Sequence, residues 1–188
     1  MASLFLKITT SVASLQSSDF ELFGVPARFA QSQEVLSARW KELQHEAHPD
    51  KFVAQGGAAQ RLAMQWSVRI NEAYQRLKNP LKRAVYLCEL NGVPIQAETN
   101  TAMPTDFLMQ QMEWREALHT AESLKNLHQI ASSTLLAAGD QLSKLEQAID
   151  AKDDFTLAAQ EARRLMFIER FASEVDARID QLQDSAVN

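Results

Sequence analysis

The tripeptide His48-Pro49-Asp50 is the part of this sequence best equipped to act on a partner. Proline has a fixed φ and no N–H, so Pro49 holds its neighbours in rigid display. Asp50 offers a carboxylate that can accept a two-pronged bond from a partner arginine. An imidazole such as that of His48 can donate or accept a hydrogen bond near neutral pH. Such a turn can hold another protein's switch element without transforming a substrate. Arg39, Lys41 and Lys51 lie on or beside the same helix and could meet an acidic patch on that partner. A solvated face is the alternative for these three, and Glu34, Glu42 and Glu46 dilute the positive field.

A second set of residues is defined by helical angle. At about 100° per residue, with Leu108 at zero, Met112 falls near 40°, Glu116 near 80°, Met109 near 100° and Glu113 near 140°. Leu118, Phe107 and Trp114 fall on nearly the opposite side, at about 240–280°. The aromatic face is the better core candidate. The other face is then an exposed apolar patch with an acidic edge, which suits a protein partner, and methionines suit an adaptable one. Phe167 lies about 100° off the centre of its own helix's stripe, which places it at the flank of a bundle. The alternative is that both faces are buried.

Other chemistry is poorly supported. His45 and His48 have a spacing that some metal sites use, but no cysteine is near and His119 and His128 are distant in sequence. No metal or cofactor is expected. No glycine-rich phosphate loop exists, so no nucleotide should bind, and no enzymatic activity is expected. Cys88 is the single cysteine, so neither a disulfide nor a CxxC pair can form. It lies in the apolar run Val85-Tyr86-Leu87-Cys88 and reads as a packed core thiol, natural to the cytoplasm. No segment reaches the roughly 18 apolar residues of a membrane span.

The net charge of −5 is unevenly spread. Residues 1–103 hold 11 basic and 9 acidic side chains, a net +2, and residues 104–188 hold 8 and 15, a net −7. No basic cluster supports nucleic-acid binding. The asymmetry points to two regions with different partners.

The elements that must position these residues are helices. Ser18 to Pro26 reads as a short helical turn stopped by Gly24 and Pro26. Ser32 caps a helix with Leu36, Trp40, Leu43 and Ala47 on one stripe, ending at His48 because a proline disfavours helical geometry in the residue before it. A loop from Lys51 to about Gly57 leads to a helix with Leu62, Trp66, Ile70, Ala73 and Leu77 on one face. Asn79 and Pro80 start a short fourth helix that carries Leu81, Ala84, Leu87 and Cys88 and ends at Asn91-Gly92. Beyond a linker, helices are predicted over about 105–122, 125–150 and 153–184, the third with Leu165, Ile168, Ala172, Val175, Ile179 and Leu182 on one stripe.

Two amphipathic helices around His48-Pro49-Asp50, with Asp19-Phe20-Glu21-Leu22-Phe23-Gly24 before them and Ile70-Asn71-Glu72-Ala73-Tyr74-Gln75-Arg76-Leu77 after, resemble the J-domain family over residues 18–92. The stretches Asn79 to Leu87, Phe107 to Glu116 and Ala162-Arg163-Arg164-Leu165-Met166-Phe167 are similar to HscB, the J-protein family of iron–sulfur cluster assembly. The resemblance implies an all-α protein. It would have an N-terminal J domain, a helical hairpin plus short flanking helices, linked to a C-terminal antiparallel three-helix bundle. Its parts would be an extension at 1–17, the J domain at 18–92, a linker at 93–104 and a scaffold-binding domain at 105–188.

The resemblance also implies a co-chaperone with two partners. One is a DnaK-class, HscA-like chaperone whose ATPase the J domain stimulates through His48, Pro49 and Asp50. The other is an IscU-like scaffold, bound at Leu108, Met109, Met112, Glu113, Glu116 and Phe167. Some relatives carry a zinc-binding cysteine region at the N-terminus, and this chain has none, so no metal is carried over. The residues alone leave one alternative open, an all-α adaptor in which His48 merely interacts with a helix dipole.

Overall fold

A computed structural model of the chain describes residues 15–95 and 104–187. Most of the expected N-terminal extension, up to residue 14, and most of the expected linker, from 96 to 103, lie outside the described residues. Every regular element among the described residues is helical. The chain forms two compact units, Met1–Tyr86 and Leu87–Asn188.

In the first unit, α1 (Asp19–Phe23) opens with a reciprocal cap. The Ser18 hydroxyl accepts from the Glu21 N–H at 3.2 Å, and the Glu21 carboxylate accepts from the Ser18 N–H at 2.8 Å. The Ser18 N–H, with the Ser18 hydroxyl also donating to the same carboxylate, holds the Glu21 carboxyl below its usual range. The helix stops at Gly24, whose φ of +63° is costly for any residue with a Cβ. Helix α2 (Gln33–Glu46) is capped by Ser32, as expected, its hydroxyl accepting from the Val35 N–H. Helix α3 spans Gly57–Lys78 and α4 spans Pro80–Leu90, the latter capped by Asn79, which accepts from the Lys82 N–H at 2.8 Å.

Helices α2 and α3 run antiparallel, joined by a ladder of polar contacts. The Gln33 amide donates to the Lys78 carbonyl at 2.8 Å, and the Ser37 and Tyr74 hydroxyls meet at 3.0 Å. The Trp40 indole donates to the Asn71 side chain at 2.8 Å, and the Gln44 amide to the Ser67 carbonyl at 3.0 Å. Positions climb on one helix as they fall on the other, which sets the hairpin's register. Leu36, Leu43, Trp66, Ile70 and Leu77 fill the space between the helices with Phe20 and Phe23 of α1, all buried. Each such side chain contributes roughly 1.5–3 kcal/mol relative to exposure. Asp19 ties α1 to α3. Its carboxylate is wholly buried, 2.6 Å from Arg69 and 2.9 Å from Arg76.

One expectation needs correction. The segment after the proline is not a loop: Pro49–Gln55 forms a 3-10 helix. Pro49 occupies its first position, where a missing N–H costs nothing. The buried Phe52 anchors it.

In the second unit, α5 (Thr105–Thr120), α6 (Leu124–Glu146) and α7 (Phe155–Val187) form the expected bundle, and a π-helical turn, Gln147–Ala151, extends α6. The Phe107 ring lies 5.7 Å from that of Phe167 and Trp114 lies 5.5 Å from Phe171, so α5 runs parallel to α7. Helix α6 runs against both, its Gln141 amide donating to the Glu161 carbonyl at 3.0 Å. The core is Phe107, Trp114, Leu127, Ile130, Ile168, Phe171 and Val175. On α7, Phe171 takes the buried place expected of Ala172, which is only half-buried. Either residue lies within a helical turn of Ile168, and the Phe171 ring wins because it stacks on Trp114. Cys88 is fully buried, as expected of a core thiol.

The two units divide within α4, six residues before the sequence-based boundary at 92. Cys88 shows why: its thiol approaches the Phe155 carbonyl of the second unit at 3.8 Å.

Candidate functional site

Helix α2 ends at Glu46 with Ala47 as its C-cap, and His48 turns to extended backbone, φ −64° and ψ 124°, ahead of Pro49. Helix α3 braces that end, because the Ser67 hydroxyl donates to the Ala47 carbonyl at 3.3 Å. The His48 Nδ1 accepts from the Asp50 N–H at 3.3 Å. A neutral ring in this arrangement carries its proton on Nε2, which is left as an outward donor. The His48 and Asp50 side chains are 57% and 84% exposed. The turn therefore offers a donor and a carboxylate acceptor from a backbone fixed by Pro49 and the 3-10 helix. That arrangement suits recognition of a polar or cationic element.

The three basic candidates part company. Lys41 and Lys51 are exposed, and the Lys51 ammonium sits 2.9 Å from the His45 Nδ1. Arg39 lies about 200° around α2 from Lys41. Its Nε donates to the Phe23 carbonyl at 3.0 Å and its Nη1 pairs with Glu42 at 2.6 Å. The structure thus sets the Lys51 side chain against His45, leaves Lys41 exposed, and commits Arg39 to holding α1 against α2.

The second set lies on the bundle. Leu108, Met109 and Met112 are 43%, 59% and 71% exposed, while Phe107 and Trp114 on the other face of α5 are buried. Glu113 and Glu116 are exposed beside them. Phe167 is half-buried at the flank, edge-on to Phe107, stacked 6.3 Å from Phe171, with the Arg115 guanidinium 5.8 Å above its ring. Its ring is shared between the aromatic core and the Arg115 guanidinium. A different apolar pair escaped the sequence reading: Leu135 and Leu136 of α6 are each 74% exposed. Apolar residue type alone gave no sign that both would be left uncovered.

Comparison with known proteins covers most of the chain. A family model described as "HSCB C-terminal oligomerisation domain" matches residues 103–176. The co-chaperone protein HscB homolog of Burkholderia mallei is 47% identical over 177 residues, covering 92% of this chain and 99% of that protein. The structure is similar to chaperone HscB from Vibrio cholerae, with a TM-score of 0.76 and 34% identity over 88% of this chain and 99% of that one. It is also similar to human co-chaperone protein HscB, with a TM-score of 0.80 and 26% identity over 91% of this chain and 84% of that one. Among the described residues no helix is long and apolar enough to cross a membrane. With nearly the whole length shared at this identity, the chain belongs to the HscB family of J-domain co-chaperones.

Proposed function

We propose that this chain stimulates the ATPase of a DnaK-class, HscA-like chaperone through His48, Pro49 and Asp50, and brings to it an IscU-like scaffold held at Leu108, Met109, Met112, Glu113, Glu116 and Phe167. It thereby aids the assembly and transfer of iron–sulfur clusters in the cytoplasm. It performs no catalysis of its own, needs no cofactor, and engages neither nucleic acid nor membrane. Lys41 and Lys51 add charge attraction on the chaperone side. Arg39 serves that side by holding the helix in place.

One observation carries the reading. The same chain presents a rigid turn with an outward donor and carboxylate, and a separate methionine-rich patch left uncovered on a packed helix. Two exposed recognition surfaces of different chemistry suit a protein that brings two partners together. Linking them raises the effective concentration of one partner at the other.

The test is single-turnover ATP hydrolysis by the chaperone. Substoichiometric amounts of this chain should accelerate it, the scaffold should enhance that effect, and the chain alone should hydrolyse nothing. Failure to accelerate hydrolysis by any DnaK-class chaperone of the same cell would overturn the reading.

A further inference from the structure

A cavity of about 490 Å³ lies between α5 and α6 and reaches Arg164 and Ile168 of α7. That is room enough for a small ligand or a long side chain. Its two walls follow from helical spacing. Asp106, Met109, Gln110 and Glu113 share one side of α5, and Ala137, Asp140, Gln141 and Lys144 share one side of α6. Met109 and Glu113 also belong to the apolar patch described above, so the cavity opens at the edge of that patch.

Gln141 shows what the cavity lacks. It is 3% exposed, and its amide nitrogen donates to the Glu161 carbonyl at 3.0 Å and to the Glu161 carboxylate. Both partners are acceptors, so the amide cannot be turned the other way. Its carbonyl oxygen is left for the cavity and accepts no hydrogen bond from the described residues. A buried acceptor without a donor is unfavourable, and an occupant that donates relieves it.

The charges select the kind of donor. Asp106, Glu113 and Asp140 are exposed around the cavity, and none makes an ion pair among the described residues. Arg164 is already engaged, 3.4 Å from the Glu161 carboxylate and 5.7 Å over the Phe107 ring. Lys144 is the one cation left among the described lining residues, so three carboxylates face a single ammonium. Among the described residues no three acidic, histidine or cysteine side chains come together as a metal site. The cavity instead has apolar wall for a hydrocarbon stem, in Phe107, Met109, Ala137 and Ile168. A cationic head on a methylene stem is the chemistry of lysine and arginine.

We propose that this cavity receives a basic side chain of the scaffold, its head held by the Gln141 carbonyl and the Asp140, Glu113 and Asp106 carboxylates. The proposal rests on the scaffold reading above and extends that interface onto α6. A scaffold seated on Leu108, Met109 and Met112 lies at the mouth of the cavity, where the excess of carboxylates draws a cation.

The test is isothermal titration calorimetry of the full chain with the IscU-like scaffold of the same cell, at low and high salt. Asp140→Lys should raise the dissociation constant at least about fivefold at low salt and flatten its salt dependence. Its melting temperature should hold, because Asp140 is exposed. ATPase stimulation without scaffold should hold too. Among scaffold variants with one surface lysine or arginine changed to glutamate, one should bind Asp140→Lys more tightly than it binds the wild-type chain. Unchanged affinity in Asp140→Lys, in a chain that Leu108→Ala with Met112→Ala does weaken, overturns this proposal and leaves the proposed function standing. Weakening that no scaffold reversal rescues also overturns it, since a diffuse field would then be the cause. Spermidine titrated into the chain alone tests a small cation as occupant. Spermidine binding that Asp140→Lys abolishes, with scaffold affinity unchanged, gives the cavity to that cation and overturns the proposal. A wild-type chain that binds no scaffold overturns both readings.

Discussion

The Asp19 carboxylate, wholly shielded from solvent, lies 2.6 Å from the Arg69 guanidinium. Arg76 holds its other oxygen at 2.9 Å, and the Tyr86 hydroxyl accepts from its N–H at 3.0 Å. One acidic residue thus fastens α1 to α3 and to α4. Removing it leaves two arginines facing a space with no anion. Breaking such a pair costs about 3–5 kcal/mol, and the partial exposure of Arg76 moderates that here. Asp19→Ala should lower the stability of the first unit by about 3 kcal/mol in urea unfolding. A loss under about 1 kcal/mol would mean that solvent already screens the cluster.

His48→Gln should abolish ATPase stimulation and leave folding and scaffold affinity intact. The side chain is more than half exposed and makes one local hydrogen bond, so its replacement should shift stability by under about 0.5 kcal/mol. Stimulation near the wild-type level would remove the turn from the mechanism.

The basic residues should separate by experiment as they do in space. Lys51→Ala and Lys41→Ala should weaken chaperone affinity and reduce its salt dependence, because both are exposed charges. Arg39→Ala should instead cost about 1 kcal/mol of stability, since its bond to the Phe23 carbonyl is lost. Equal effects of all three on affinity, with unchanged melting temperature, would contradict this division.

On the bundle, Leu108→Ala with Met112→Ala should weaken scaffold binding by more than about 2 kcal/mol, a hot-spot loss, with little change in melting temperature. Phe167→Ala should weaken binding too, and should also cost about 1–2 kcal/mol of stability because its ring packs on Phe107 and Phe171. Isothermal titration calorimetry beside thermal unfolding measures both. A large drop in melting temperature for the Leu108 and Met112 pair, with unchanged affinity, would place those residues in the core.

Cys88 supplies a pH dependence. Burial pushes its thiol up from the usual 9.0 to about 11. The folded chain therefore keeps this proton to higher pH than the unfolded chain. The contribution is fully present below about pH 9 and is lost as pH rises from about 9 to about 11, by up to roughly 2–3 kcal/mol. The difference in stability between the wild-type chain and Cys88→Ala, measured across that range, should shrink accordingly. A constant difference would show that the thiol titrates alike in both states. At neutral pH the folded chain should resist thiol alkylation.

How much was legible in the sequence depends on the range of the forces involved. Local chain geometry was legible. Pro49 forbids helix at His48, Ser32 and Asn79 accept the free N–H groups of the helices they precede, and the angles around α5 separate Phe107 and Trp114 from Met109 and Met112. Each of these follows from residues within about two turns of one another. The tertiary structure decided what depends on distant partners. Phe171 outranked Ala172 because Trp114 lies across the bundle, Arg39 was taken by a carbonyl sixteen positions earlier, and Asp19 was buried by arginines fifty or more positions away. Leu135 and Leu136 are apolar yet uncovered, because α6 has only one face turned to its neighbours. Periodicity tells which side chains share a face. Only packing tells which face is covered, and by what.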